Sequence, residues 1–166
     1  TRLEMLDLDE IVQNVINDLE ITISEKYGQI QTVRLPSILG IRFQMHQLFL
    51  NLFSNSLKFS KPDVPPVIEV GYSRIEGPEL PQHLPDGNNE YHQITISDNG
   101  IGFESQYASK IFDVFHRLHP RDSFSGTGIG LAIVKKAVEN HHGVIEAQGR
   151  PGQGATFNIY FPVGSA

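Results

Sequence analysis

Apolar residues in the first segment recur at helical spacing. Ile11, Val12, Val15, Ile16, Leu19 and Ile23 fall on one face, Asp9 stands where an N-cap belongs, and Gly28 offers a left-handed stop. A short strand over Ile30–Leu35 follows, closed by Pro36. Helical spacing returns over Ile41–Phe59, with Met45, Leu48, Phe49, Leu52, Phe53 and Leu57 as one stripe. Gln47, Asn51, Asn55 and Lys58 form a separate polar stripe on the same helix. Alternation then predicts strands at Val67–Arg74 and Tyr91–Ser97, joined by the aperiodic, proline-containing stretch Glu76–Glu90, read as a surface connection. A helix is expected over Ser105–Val114, a mobile polar stretch over His119–Gly126, and a third long helix over Gly130–His142, stopped by Gly143. Strands at Val144–Gln148 and Ala155–Phe161 flank the turn Gly149–Gly154. This order predicts a two-layer α/β sandwich, with three main helices covering one face of a mixed, mostly antiparallel sheet.

Composition narrows the function. The 166 residues fit one domain spanning the whole chain. The absence of cysteine excludes disulfides, thiolate metal sites and a cysteine nucleophile. Nineteen acidic against 13 basic side chains give a net charge of −6, the wrong balance for a nucleic-acid binder. No apolar run approaches the roughly 18 residues of a membrane span, so no direct membrane contact is expected. The chain starts at Thr1 rather than Met, which we read as a piece of a longer protein.

Two glycine-spaced turns suggest a phosphate ligand. Gly126-Thr127-Gly128-Ile129-Gly130 precedes a helix, whose unpaired N–H groups suit an anion. It is not a Walker A loop, because Leu131 and Ala132 follow Gly130 in place of Lys-Ser/Thr. It is not a Rossmann fingerprint either, since no strand leads into it. The His-Arg-Asp and Asp-Phe-Gly signatures of protein kinases are also missing. Asp98-Asn99-Gly100-Ile101-Gly102 is the second turn, and it puts a carboxylate at the end of a strand. A buried carboxylate there is suited to accept a hydrogen bond from an adenine amino group.

Taken with the asparagine stripe, these boxes resemble the ATP-binding catalytic domain of two-component sensor histidine kinases, within the GHKL ATPase/kinase superfamily. Gln47 to Phe59 resembles its asparagine box, Asp98 to Phe103 its first glycine box, and Phe112 to Arg117 its phenylalanine box. Gly126 to Leu131 resembles the second glycine box, and Gly152 to Phe157 the last glycine-rich hairpin. The chain departs from the family pattern in having Gln44-Met45 where Arg-Leu is common.

The resemblance implies ATP and Mg²⁺ as cofactors. Asn55 would ligate the metal through its amide oxygen, and Asn51 would support the phosphates and the metal. Lys58 would face the phosphates, and Phe59 would border the nucleotide. Asp98 would read the adenine amino group with Thr156 beside it, while Gly100 and Gly102 admit the base. Phe112 and Phe115 would anchor a flexible ATP lid, and Arg117 would reach the γ-phosphate. Gly126, Thr127, Gly128, Gly130 and Leu131 would close over the triphosphate. Asn51, Lys58 and Arg117 are the catalytic candidates.

The hydrolytic branches of the superfamily carry a glutamate four residues before the metal asparagine, and this chain has Asn51. An amide has no useful basicity near neutral pH, so phosphoryl transfer is expected rather than hydrolysis. The family's acceptor histidine is followed by Glu or Asp, and none of the seven histidines is. The acceptor is therefore expected on a dimerisation hairpin elsewhere in the parent protein, with a response-regulator receiver domain downstream. The fragment is expected to be a monomer and the parent a homodimer, in the cytoplasm or anchored to its membrane. An anti-sigma-type serine kinase and a non-catalytic nucleotide-binding module are the alternatives. His141 and His142, at a helix C-terminus, are read as favourable positive charges.

Overall fold

The computed structural model describes residues 2–82, 84, 90–113 and 129–164. The expected lid, with Phe115, Arg117, Gly126, Thr127 and Gly128, lies outside them.

The chain opens with strand β1 (Glu4–Asp7), helices α1 (Leu8–Asp18) and α2 (Glu20–Glu25), and strands β2 (Gln29–Thr32) and β3 (Ser37–Gly40). Helix α3 (Arg42–Lys58) and strands β4 (Val67–Glu76) and β5 (Glu90–Asp98) follow. Helix α4 (Gly130–Asn140) leads into the hairpin β6 (Val144–Arg150) and β7 (Gly154–Pro162). Five strands form one sheet in the order β2-β4-β5-β7-β6. Only the β2–β4 pair is parallel. β1 and β3 pair separately as a short antiparallel ribbon.

The core lies where α1, α3 and α4 cover one sheet face. Met45, Leu48, Phe49, Leu52, Phe53 and Leu57 of α3 are fully or almost fully buried, as the stripe predicts. They meet Ile68, Val70, Ile94, Ile96, Phe157 and Ile159 of the sheet in one cluster. Burial of each large side chain stabilises the fold by roughly 1.5–3 kcal/mol. The same strand alternation places Asp98 two residues beyond Ile96, on the covered face.

Several expectations change. Asp7, not Asp9, caps α1 by accepting the Asp9 N–H at 3.0 Å. Asp9 instead accepts the Leu35 N–H at 2.8 Å, tying the chain before β3 to the helix. The expected continuous first helix breaks at Leu19, and the left-handed residue that ends α2 is Tyr27, with φ 55°, rather than Gly28. The helix expected over Ser105–Val114 is a 3-10 turn at Ser105–Tyr107 and further turns, because most of its bonds reach back three residues. Ile111 and Phe112 are buried all the same.

The connection after β4 is more than a surface loop. Leu84 and Leu80 pack with Ile75, Tyr91 and Tyr160 in a second, smaller apolar cluster. His141 is also not an exposed cation. It is buried, its Nε2 accepts the Ile41 N–H at 2.9 Å, and its Nδ1 lies 2.7 Å from the Ala137 carbonyl. An accepting Nε2 leaves the proton on Nδ1, so the ring bridges α4 and the start of α3 as a neutral tautomer.

Candidate nucleotide site

A cleft opens between the C-terminal half of α3 and the ends of β5 and β7. Asn55, Phe59, Asp98, Gly102, Phe103, Ala155 and Phe157 line it. Asp98 forms its polar wall. Oδ1 accepts the Gly100 N–H at 2.9 Å and the Ala155 N–H at 3.2 Å, while Oδ2 accepts the Ser56 hydroxyl at 2.9 Å. Burial pushes the carboxyl pKa up from its ordinary value, and these three hydrogen bonds pull against that shift.

The turn after Asp98 is clamped on both sides. The Phe59 carbonyl accepts the Ile101 N–H at 3.0 Å, and the Ile101 carbonyl accepts the Gly152 N–H at 2.7 Å. Gly102 has φ 68°, and a Cβ there would lie 2.0 Å from the Arg150 carbonyl oxygen. Gly102 therefore lets two backbones touch, as well as lining the cleft. At Gly100 an added Cβ would lie 2.5 Å from the Phe59 carbonyl oxygen. The missing side chain makes room for the end of α3 rather than for a base. Asn99 accepts the Val67 N–H at 2.8 Å and so ties the turn to the start of β4.

The polar stripe of α3 spreads along the site. Asn55 lines the cleft, and Lys58 sits in the last turn with Nζ 5.2 Å from the Phe59 ring centroid. Asn51 donates to the Gln47 carbonyl at 2.8 Å and faces the first residue of α4. A Cβ on Gly130 would lie 3.2 Å from Asn51 Oδ1, so this glycine sits directly against the asparagine helix. Among the described residues no side chain caps the N-terminus of α4. Leu131 packs on the main core, and Phe112 meets Phe157 edge-on at 6.2 Å, behind the cleft wall.

Thr156 is the site residue that moves. It pairs with Ser97, and the two hydroxyls lie 3.1 Å apart. Ser97 and Asp98 point to opposite faces of the strand, so Thr156 is on the far face from the carboxylate. The residue of β7 that bonds Asp98 is Ala155, through its N–H. Ser56, Phe103, Ala155 and Phe157 are site residues that the sequence reading did not single out. Ser56 had a signal: it falls four residues after Leu52, a lone polar position on the buried stripe of α3.

Among the described residues no three His, Cys, Asp or Glu side chains gather to hold a metal. Among the described residues that line the cleft, Asn55 is the one side chain besides Asp98 that carries an oxygen for a hard cation. That poor donor set fits Mg²⁺, which keeps waters and completes its shell with phosphate oxygens.

Fold and cleft together define a two-layer α/β sandwich whose candidate ligand site opens between the helical layer and the sheet. The chain belongs to the histidine kinase-, DNA gyrase B- and HSP90-like ATPase family, whose model matches residues 40–165. It is 34% identical over 164 residues to the phytochrome-like protein Cph1 of Synechocystis sp., covering 99% of this chain and 20% of that protein. It is 35% identical over 161 residues to cyanobacterial phytochrome A of Nostoc sp., covering 97% of this chain and 19% of that protein. The chain thus spans about a fifth of the length of these relatives. Among solved structures it is similar to the mycobacterial sensor histidine kinase MprB, with TM-score 0.75 and 22% identity over 97% of both chains. It is also similar to full-length ShkA in complex with AMPPNP, with TM-score 0.73 and 24% identity, covering 99% of this chain and 32% of that one.

Proposed function

We propose that this chain is a histidine-kinase-type catalytic domain over residues 1–166. It binds Mg²⁺-ATP and presents the γ-phosphoryl group to a histidine on a dimerisation hairpin outside this sequence. The observation that carries the reading is the half-buried Asp98 carboxylate, held by three donors in a cleft whose other wall is the asparagine helix. Family membership and relatives named as phytochromes and as a sensor histidine kinase support it.

In this reading Asp98 accepts the adenine amino group while Phe59, Phe103 and Phe157 enclose the base and exclude water. Asn55 supplies the protein oxygen for the metal, whose chemistry is charge neutralisation on the phosphates. The N-terminus of α4 and Lys58 balance the triphosphate charge, with Arg117 assigned to the γ-phosphate. Asn51 lacks the basicity to activate water, which favours transfer over hydrolysis. The downstream partner is a receiver domain, and the place of work is the cytoplasm. No helix among the described residues is long and apolar enough to cross a membrane.

Titration calorimetry of the folded chain with ATP and Mg²⁺ tests the binding half, and absence of binding overturns it. Labelled ATP with a cognate helical hairpin added in trans tests the transfer. Acid-labile phosphate is expected on the hairpin and none on this chain. Acid-stable phosphate on a serine of a separate substrate would favour the serine-kinase alternative instead.

A further inference from the structure

Ser56 is 3% exposed and sits on the sheet-facing row of α3. A serine inside a helix commonly returns its hydroxyl to a carbonyl of its own preceding turn. Here the hydroxyl crosses to the sheet and donates to Asp98 Oδ2 at 2.9 Å. Oδ1 is held by the backbone N–H groups of Gly100 and Ala155. Every protein group bonded to this carboxylate is therefore a donor, and among the described residues Ser56 is the one side chain in the set.

Three donors fix the plane of the carboxylate and leave only acceptor lone pairs for a ligand. An amino group on a purine ring meets those lone pairs favourably. A ring carbonyl at the same position meets them with repulsion and has no donor to pair with. The two backbone donors hold Oδ1 whatever the side chains are, while the orientation of Oδ2 depends on the Ser56 hydroxyl.

We infer that Ser56 is a positioning residue that sets the selectivity of Asp98 for 6-aminopurine nucleotides over 6-oxopurine ones. This inference rests on the nucleotide-binding reading above and adds to it a determinant of base choice.

The test compares ATP, GTP and purine riboside triphosphate, which lacks the 6-amino group, by calorimetry on the wild-type chain, Ser56→Ala and Ser56→Cys. The wild type is expected to prefer ATP over both analogues. Ser56→Ala is expected to bind ATP about tenfold more weakly, because the carboxylate loses the donor that orients it and its bond to the ligand weakens. Its affinity for purine riboside triphosphate should change less than twofold, so its preference for ATP narrows. Ser56→Cys keeps the size of the side chain with a weaker donor, and is expected to fall between the two. It carries the comparison if Ser56→Ala does not fold.

Equal weakening towards all three triphosphates would mean that Ser56 only supports the fold, and overturns the inference. An unchanged preference for ATP in the variants overturns it too. A wild type that binds all three alike leaves nucleotide binding standing and removes the role of Ser56. A wild type that binds none removes both.

Discussion

At Asp98, Oδ1 holds two backbone N–H groups and Oδ2 holds one hydroxyl, and an amide can satisfy the same partners. In Asp98→Asn the amide oxygen accepts the two N–H groups and the amide nitrogen donates to Ser56. The fold is then kept, but a donor faces the adenine amino group. ATP affinity should drop by about 10- to 100-fold with little change in thermal stability, measured by calorimetry and melting. Tyr160 offers a test away from the site. Burial and the neighbouring Glu146 push its phenol up to about 12. The unfolded phenol titrates near 10, so the folded chain holds this proton more tightly. Stability from this group is complete below pH ~10 and is lost as the pH rises towards the folded pKa. Melting curves across that window should slope downward for the wild type and more shallowly for Tyr160→Phe. Some residues were readable in advance: Asp98, Asn55 and Lys58 stand out because their spacing is local. Ala155 was not, because its bond to Asp98 depends on the register between β5 and β7.

Helix α3 was legible because its 17 residues give the periodicity several turns to repeat. Leu52 is fully buried at its centre, and Leu52→Ala should cost about 2–5 kcal/mol in chemical denaturation. The end of the helix depends on a residue distant in sequence. Lys26 donates to the Leu57 carbonyl at 2.7 Å and to the Ser60 hydroxyl at 3.1 Å, covering one orphan carbonyl at the end of the helix. Lys26→Met should cost about 1 kcal/mol and speed amide exchange around Phe59 more than around Leu48. The strands β1 and β3 were not legible, since each has only four residues and their pairing joins Glu4 to Gly40. Asp7 and Asp9 were interchangeable as caps on composition, and only the position of Leu35 separates them.

Across the whole molecule, the layer arrangement was readable from element order, while the second apolar cluster was not. Leu84 reaches that cluster from a connection without periodicity, so nothing local marks it as buried. The lid, Arg117 included, remains an expectation from the sequence. α3 and α4 run antiparallel, with Gly130 beside Asn51 at one end and His141 beside Ile41 at the other. The His141 ring is thus a built-in spectroscopic reporter. Both ring nitrogens are engaged, so its imidazole resonances should stand apart from those of the partly exposed His46 and the exposed His142. Magnetic resonance on ring-labelled histidine would then read, during a ligand titration, whether the two helices stay joined at the end remote from the cleft.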